Sequence, residues 1–210
     1  MAVVFGSPTD HVTTRILHRV FSYRGNMDKD LLPLVTERLT LRLFTGEDLD
    51  AVFAYQRLDD VARYLYRPPR TRQQCADMIA QAASGSEWHT DGDCLMLAVC
   101  RRGGPLVGEV VLRLASAAAQ QVEIGWVLHP RYEGQGYATE AARALAALAF
   151  DRLGAHRLFA RLDVENEASV RLCERLGMRR EAHLIENDMH PDSRWGSEYI
   201  YAALRHELKR

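Results

Sequence analysis

The sequence predicts a mixed α/β domain, a largely antiparallel central sheet flanked by helices, and three observations carry that prediction. In "VTERLTLRLF", Leu39, Leu41 and Leu43 alternate with Arg38, Thr40 and Arg42, the period of two expected of a half-buried strand. Two short apolar runs, 94–101 and 106–114, flank Gly103–Gly104 and read as an antiparallel hairpin. A further strand, "QVEIGWVL" at 121–128, runs through a glycine turn into an alanine-rich helix. The order is strand, helices, several strands, helix, strand, helix, strands, which is not the strict alternation of a doubly wound parallel sheet.

The remaining elements follow from local signals. Thr45 opens "TGED", a loose capping box with Asp48 in third place, and a helix through Val52, Phe53 and Gln56 should follow. Pro68 and Pro69 break the chain. "TRQQ" at 71–74 is a second box, starting a helix through Met78 and Ile79. The long helix runs from about Ala138 to Leu153, with apolar residues at 142, 145, 148, 149 and 153 and a stop at Gly154. "HRLFARLDV" at 156–164 is strand-like, "NEASVRLCERLG" is an amphipathic helix ended by Gly177, and "EYIYAALR" at 198–205 is the last clear strand.

Bulk properties narrow the function classes. The chain has 210 residues, 47 % hydrophobic and 26 % charged, with a formal net charge of −1. That suits one domain with a sizeable core and gives no field to draw in nucleic acid or an anionic membrane. No apolar run approaches the roughly 20 residues that span a bilayer. Four cysteines without a CxxC pair read as reduced thiols of a cytoplasmic protein. Eight histidines show no ligand spacing such as HExxH, so no metal is expected. Residues 1–33 read as an N-terminal extension; "HVTTRILHRVFSYR" within it has three arginines and no acid, and Met27 is an alternative start. Residues 34–210 read as one domain.

The most informative stretch is "RYEGQGYATEA" at 131–141. A glycine-rich turn between a strand and a helix start is an anion site. Without Cβ atoms the backbone amides approach an anion closely, and the helix's first free N–H groups and dipole add to the attraction. The P-loop pattern GxxxxGK[ST] fails, since "QGYATE" follows Gly134. The dinucleotide pattern fails as well, because Thr139 stands where the third small residue belongs. A plain tight turn is also compatible with a bare GxG.

More residues join a further pattern. Arg131-x-x-Gly134-x-Gly136-x-Ala138 resembles the (Q/R)xxGx(G/A) signature of the GNAT N-acetyltransferases, and the stretch from Val122 to Glu181, with "LVTERLTLRLFTGEDL" before it, is similar to the RimJ/RimL-type branch. The resemblance covers residues from about 34 to 205. It implies acetyl-CoA as acyl-donor cosubstrate and an amine acceptor, either a protein N-terminus or a small molecule. It implies that backbone amides of Tyr132, Glu133, Gly134, Gln135, Gly136, Tyr137 and Ala138 hold the pyrophosphate, with Arg131 reinforcing them. It places Ile124, Trp126, Val127 and Leu128 along the pantetheine arm, on a strand that splays from its neighbour, and Asn166 and Ser169 ("NEAS") on the same arm. Asn166 is equally a good N-cap. Dimers are common in this branch, which admits a homodimer.

Catalysis needs a base for the amine and a proton for the leaving thiolate. Glu123 is the first candidate base, Glu186 in "LIENDMHPDSRW" the second and Glu109 the third. Many family members carry a tyrosine seven residues after the asparagine as proton donor; here that position is Cys173, leaving Ser169 or water. Glu186, Asp188 and Asp192 mildly favour a cationic acceptor. No GxSxG elbow occurs, so a covalent serine enzyme is not expected. A non-catalytic module that binds acyl-CoA is the competing reading, and succinyl-CoA is an alternative donor.

Overall fold

The computed structural model describes residues 31–83 and 88–209; the arginine-bearing segment of the N-terminal extension lies outside them. Eight strands of the described residues form one sheet: β1 (Leu34–Val35), β2 (Leu39–Arg42), β3 (Cys94–Arg101), β4 (Leu106–Ser116), β5 (Gln121–Leu128), β6 (Arg157–Asp163), β7 (Arg179–Met189) and β8 (Trp195–Leu204). Their spatial order is β1-β2-β3-β4-β5-β6-β8-β7. Every neighbouring pair is antiparallel except β5 and β6.

Among the described residues five α-helices cover the sheet: α1 (Leu49–Gln56), α2 (Asp59–Ala62), α3 (Arg72–Ala83), α4 (Tyr137–Asp151) and α5 (Glu167–Leu176). Strand alternation sorts the core into two layers. Leu95, Leu97, Ile124 and Trp126 pack with Leu145 of α4 and Leu172 of α5. Ala98, Cys100 and Val127 face the other way, against Val52, Tyr55, Cys75 and Ile79 of α1 and α3. Among the described residues no helix is long and apolar enough to cross a membrane.

Both expected capping boxes form. The Thr45 N–H donates to Asp48 Oδ2 at 2.8 Å, and that carboxylate also takes Arg42 Nη2 at 2.7 Å. The Thr71 N–H donates to Gln74 Oε1 at 2.8 Å. Asn166 caps α5, its Oδ1 accepting from the Ser169 N–H at 3.2 Å, and Gly177 ends that helix with φ +87°. Three elements lay outside the sequence reading: the two-residue β1, the single turn α2 and the eleven-residue β7. β7 is an edge strand largely open on both faces, with Ile185 72 % exposed. A strand without a buried face has no reason to alternate, so periodicity missed it.

One glycine fixes how closely β4 and β5 approach. A Cβ on Gly108 would stand 2.3 Å from the Val127 carbonyl oxygen and 2.9 Å from Leu128 Cα, both backbone atoms with no rotamer to yield. Gly108→Ala is expected to cost about 3 kcal/mol, as overpacking does. Thermal unfolding should report that as a fall of roughly 6–12 °C in Tm.

Candidate active site

The parallel β5–β6 pairing covers Gln121–Glu123 against Arg157–Phe159 and then stops. Beyond it, β5 keeps its ladder to β4 from Ile124 to Leu128, and β6 keeps its ladder to β8 as far as Asp163. The two strands therefore diverge, leaving a wedge whose inner edges are main chain. Trp126 ties the wedge to α5, its indole N–H donating to Ser169 Oγ at 3.1 Å with both residues buried.

β5 leads through a 3₁₀ turn, Pro130–Tyr132, into the glycines. Gly134 has φ +74° and Gly136 has φ +80°, and Gly136 is the N-cap of α4. This left-handed geometry is what glycine adopts without strain. Nothing lies within 4 Å of a Cβ built on Gly134, so the loop's outer side is open. A cavity of about 470 Å³ adjoins it, lined by Tyr132, Gly134, Gly136, Ala138, Thr139 and, from α5, Arg171 and Arg175. A second, of about 430 Å³, shares Glu133, Ala168 and Arg171 and continues past Asn166 to Arg63 and Tyr64 beside α2. Together they make a groove from the loop, across the α5 N-terminus, to the opposite face of the sheet.

The loop is clamped from the distant turn between β1 and β2. Arg38 Nη1 donates to the Gln135 carbonyl at 2.9 Å, and Arg38 Nε pairs with Glu140 Oε2 at 2.7 Å. The guanidinium lies 4.9 Å over the Tyr137 ring. Thr36 Oγ1 donates to Glu140 Oε1 at 2.6 Å. Burial works to raise the Glu140 carboxyl, but the Thr36 and Arg38 hydrogen bonds outweigh it and hold it low. An acid in the first turn suits the α4 dipole, and here it also anchors the glycines.

On the opposite face of the sheet, the end of the parallel pair carries buried charge. Glu123 is 2 % exposed, and burial pushes its carboxyl up to about 7, partly opposed by Arg161 and Arg113. Arg113 Nη1 stands 3.7 Å from Glu123 Oε2, an ion-pair distance too long for a hydrogen bond. Glu123 Oε1 has no hydrogen-bond partner among the described residues. Beside it, Arg161 pairs with the fully buried Glu198, which also accepts from Asn187 Nδ2 at 2.5 Å. At the end of β6, His190 Nε2 is 3.4 Å from Asp163 Oδ2 and its ring stacks on Tyr66 at 4.3 Å.

The profile of the Acetyltransferase (GNAT) domain matches residues 38–179, from the clamp arginine to the start of β7. The chain belongs to this GNAT family. Its relatives include the N-acetyltransferase YnaD of Bacillus subtilis, whose function is uncharacterized. It is 29 % identical over 174 residues, which are 83 % of this chain and 98 % of that one. A crystal structure of a GNAT acetyltransferase from Bacillus anthracis superposes with a TM-score of 0.73 at 32 % identity, covering 82 % of this chain and 98 % of that one. The spermidine N-acetyltransferase of Vibrio cholerae, solved with CoA and spermine, shares the fold at a TM-score of 0.69 and 20 % identity, covering 82 % and 98 %. The mixed, largely antiparallel architecture read from sequence is thus the GNAT fold.

Within this GNAT domain the structure sorts the expected site residues. Ile124, Trp126, Val127 and Leu128 lie on the diverging half of β5, with Ile124 and Trp126 side chains in the core and only their main chain toward the wedge. Tyr132 to Ala138 form the loop, and Arg131 is exposed, its guanidinium 6.0 Å over Tyr132. Ser169 is fully buried and lines neither cavity. Cys173 is buried in the core and burial pushes its thiol far up, so it packs as an apolar residue. Glu109 is fully engaged, accepting from Tyr55 Oη at 2.6 Å and Gln56 Nε2 at 2.8 Å, and it ties α1 to β4. Glu186 is exposed in the β7 bulge with φ +49° and does not join the buried group around Glu123. Asp192 pairs with Arg194 at 2.7 Å on the surface, which cancels its pull on a cationic acceptor.

Sequence reasoning missed Arg38, Arg171 and Arg175 around the loop, and Arg161 and Glu198 beside Glu123. The α5 arginines had a legible signal: positions 171 and 175 are one helical turn apart and share a face. Arg161 and Glu198 had none, because their meeting depends on strand order. Among the described residues, no group of three or more His, Cys, Asp or Glu is placed to hold a metal ion.

Proposed function

We propose that the protein is an acetyl-CoA-dependent N-acetyltransferase that moves the acetyl group directly to a primary amine. The observation that carries this is the junction of wedge and loop. A diverging strand pair ends at a buried, partner-poor Glu123 and leads at its other end into two left-handed glycines at a helix start. The residues fit the donor. The amides of Tyr132–Ala138 would take the pyrophosphate, the β5 main chain from Ile124 to Leu128 the pantetheine arm, and Asn166 the same arm from α5. Acetyl-CoA supplies an activated acyl group, so the C–N bond forms as the C–S bond breaks. Glu123 accepts the proton the amine loses, through a water where the nitrogen is beyond direct reach. Water returns a proton to the thiolate, since Ser169 is buried with its Oγ accepting from the Trp126 indole. The CoA complex of the Vibrio cholerae relative supports the donor assignment by common fold. The resemblance to the RimJ/RimL-type branch supports a peptide N-terminus as acceptor, and the spermine in the Vibrio cholerae complex supports a polyamine.

Thiol release from acetyl-CoA tests the reading, over a panel of spermidine, an aminoglycoside and peptides with free serine or alanine N-termini. Turnover on any of them supports it. Tight CoA binding with no turnover on the whole panel would replace it with an acyl-CoA-binding module. Turnover with succinyl-CoA alone would change the donor.

Arg171 and Arg175 extend the donor site. Their guanidinium groups border the loop cavity, Arg175 Nε 3.2 Å from Thr139 Oγ1. The double variant Arg171→Glu, Arg175→Glu is expected to weaken CoA binding about tenfold at low salt. Partly exposed charges are worth about 0.5–1 kcal/mol each, and the deficit should shrink as salt rises. Calorimetry at two ionic strengths checks both points.

A further inference from the structure

We infer that Glu198 is a positioning residue that keeps Glu123 available as a base by holding Arg161 away from it. The inference rests on the reading of Glu123 given above, and it starts from topology. Glu123 is level with Phe159 across the parallel pair, and Arg161 is two residues further along β6, on the same face. Asp163 lies opposite Glu198 in the antiparallel β6–β8 ladder, which brings Glu198 to that face as well. One sheet surface therefore carries Glu123, Arg161 and Glu198 in sequence across three adjacent strands.

The hydrogen bonds are unevenly shared along this row. Glu198 Oε2 takes both Arg161 Nη2 and Asn187 Nδ2. Glu198 Oε1 is without a hydrogen-bond partner among the described residues, and so are Arg161 Nε and Glu123 Oε1, a buried donor and a buried acceptor. Such orphans are costly and uncommon. A guanidinium that turned from Glu198 to Glu123 would satisfy both and form a charge-assisted pair. That pair would draw the Glu123 carboxyl down and leave a poor base. Glu198, fully buried and anchored from β7 by Asn187, prevents the turn.

The other groups facing Glu123 do not replace this control. Arg113 on β4 stands off at 3.7 Å. Cys94 on β3 is a thiol that burial pushes up to about 11, so it carries no charge near neutrality. Glu198 itself adds a repulsion that favours protonated Glu123, in the same direction as burial.

Two readouts test the inference, one of them independent of turnover. The Glu123 carboxyl is titrated by infrared difference spectroscopy of the ligand-free protein, with Glu123→Gln as the blank. The acid limb of kcat/KM is measured with acetyl-CoA and an amine from the panel above. Glu198→Gln frees Arg161 and should lower the Glu123 titration by about one pH unit, the scale of a nearby opposite charge, with the kinetic limb following. Arg161→Gln, which removes the cation, should move both upward, and it carries the test if Glu198→Gln does not fold. Glu198→Asp should keep the wild-type position. An unmoved infrared titration in a folded Glu198→Gln or Arg161→Gln variant overturns the inference. A moved titration with an unmoved kinetic limb upholds the link between Glu198 and Glu123 and removes Glu123 as the base.

Discussion

A Gly136→Asp variant is expected to lose at least 100-fold in affinity for CoA while keeping its fold. Gly136 sits at φ +80° as the N-cap of α4, where an L-residue costs about 1–2 kcal/mol. Its Cβ would meet only Arg38 Nη2, at 3.3 Å, the movable end of a long side chain. The larger effect is electrostatic. A carboxylate placed where the free amides converge occupies the anion site and repels a diphosphate, and 100-fold is about 2.7 kcal/mol. Gly136→Asn separates the causes: it has nearly the same size and tolerates the left-handed region, but it is neutral, and it should lose far less. Calorimetry with CoA and circular dichroism on both variants decide the matter. Unchanged affinity in a folded Gly136→Asp protein would refute the loop as the diphosphate site.

Glu123→Gln is expected to lower kcat by about 10²–10³, within the range for loss of a general base, while CoA affinity stays within about twofold. A base works only when deprotonated, so wild-type kcat/KM should fall as pH drops through about 7, and the variant should lack that limb. Folding stability gives a second sign. A carboxyl raised from 4.5 to about 7 on folding binds its proton more tightly in the native state. It therefore subtracts stability as pH rises from about 4.5 to 7, fully so above 7. Glu123→Gln should be more stable than wild type at pH 8, and the difference should disappear below about pH 4.5. A kinetic profile that keeps its limb in the variant would exclude Glu123 as the base.

The readable parts of this protein are those where a local pattern and the final environment agree. β2 and β6 alternate because one face of each is buried, β3 and β5 read as apolar runs because both faces are largely buried, and α4 and α5 carry helical spacing with recognisable caps. The glycine turn was legible because its chemistry is contained in eleven consecutive residues. What escaped is decided between distant positions. Arg38 and Gln135 are 97 residues apart, and only the order β2-β3-β4-β5 around α4 lets one hold the other. Glu186 is a candidate base in sequence and Glu198 is not; the bulge in β7 turns the first to solvent, while pairing with β6 buries the second. Ser169 stands with water as the proton donor in the sequence reading, yet its Oγ accepts from the Trp126 indole, a contact 43 residues away in sequence.

Between Gln121–Glu123 and Arg157–Phe159, three ladder pairs join the five strands of one half-sheet to the three of the other among the described residues. A seam that short behaves as a hinge. Spontaneous parting of the halves should begin at the wedge and propagate toward Val122 and Leu158, with α4 and α5 acting as the straps that limit its travel. A guest inserted between the diverging edges would act as a missing rung, stiffening the whole molecule far from the atoms it touches.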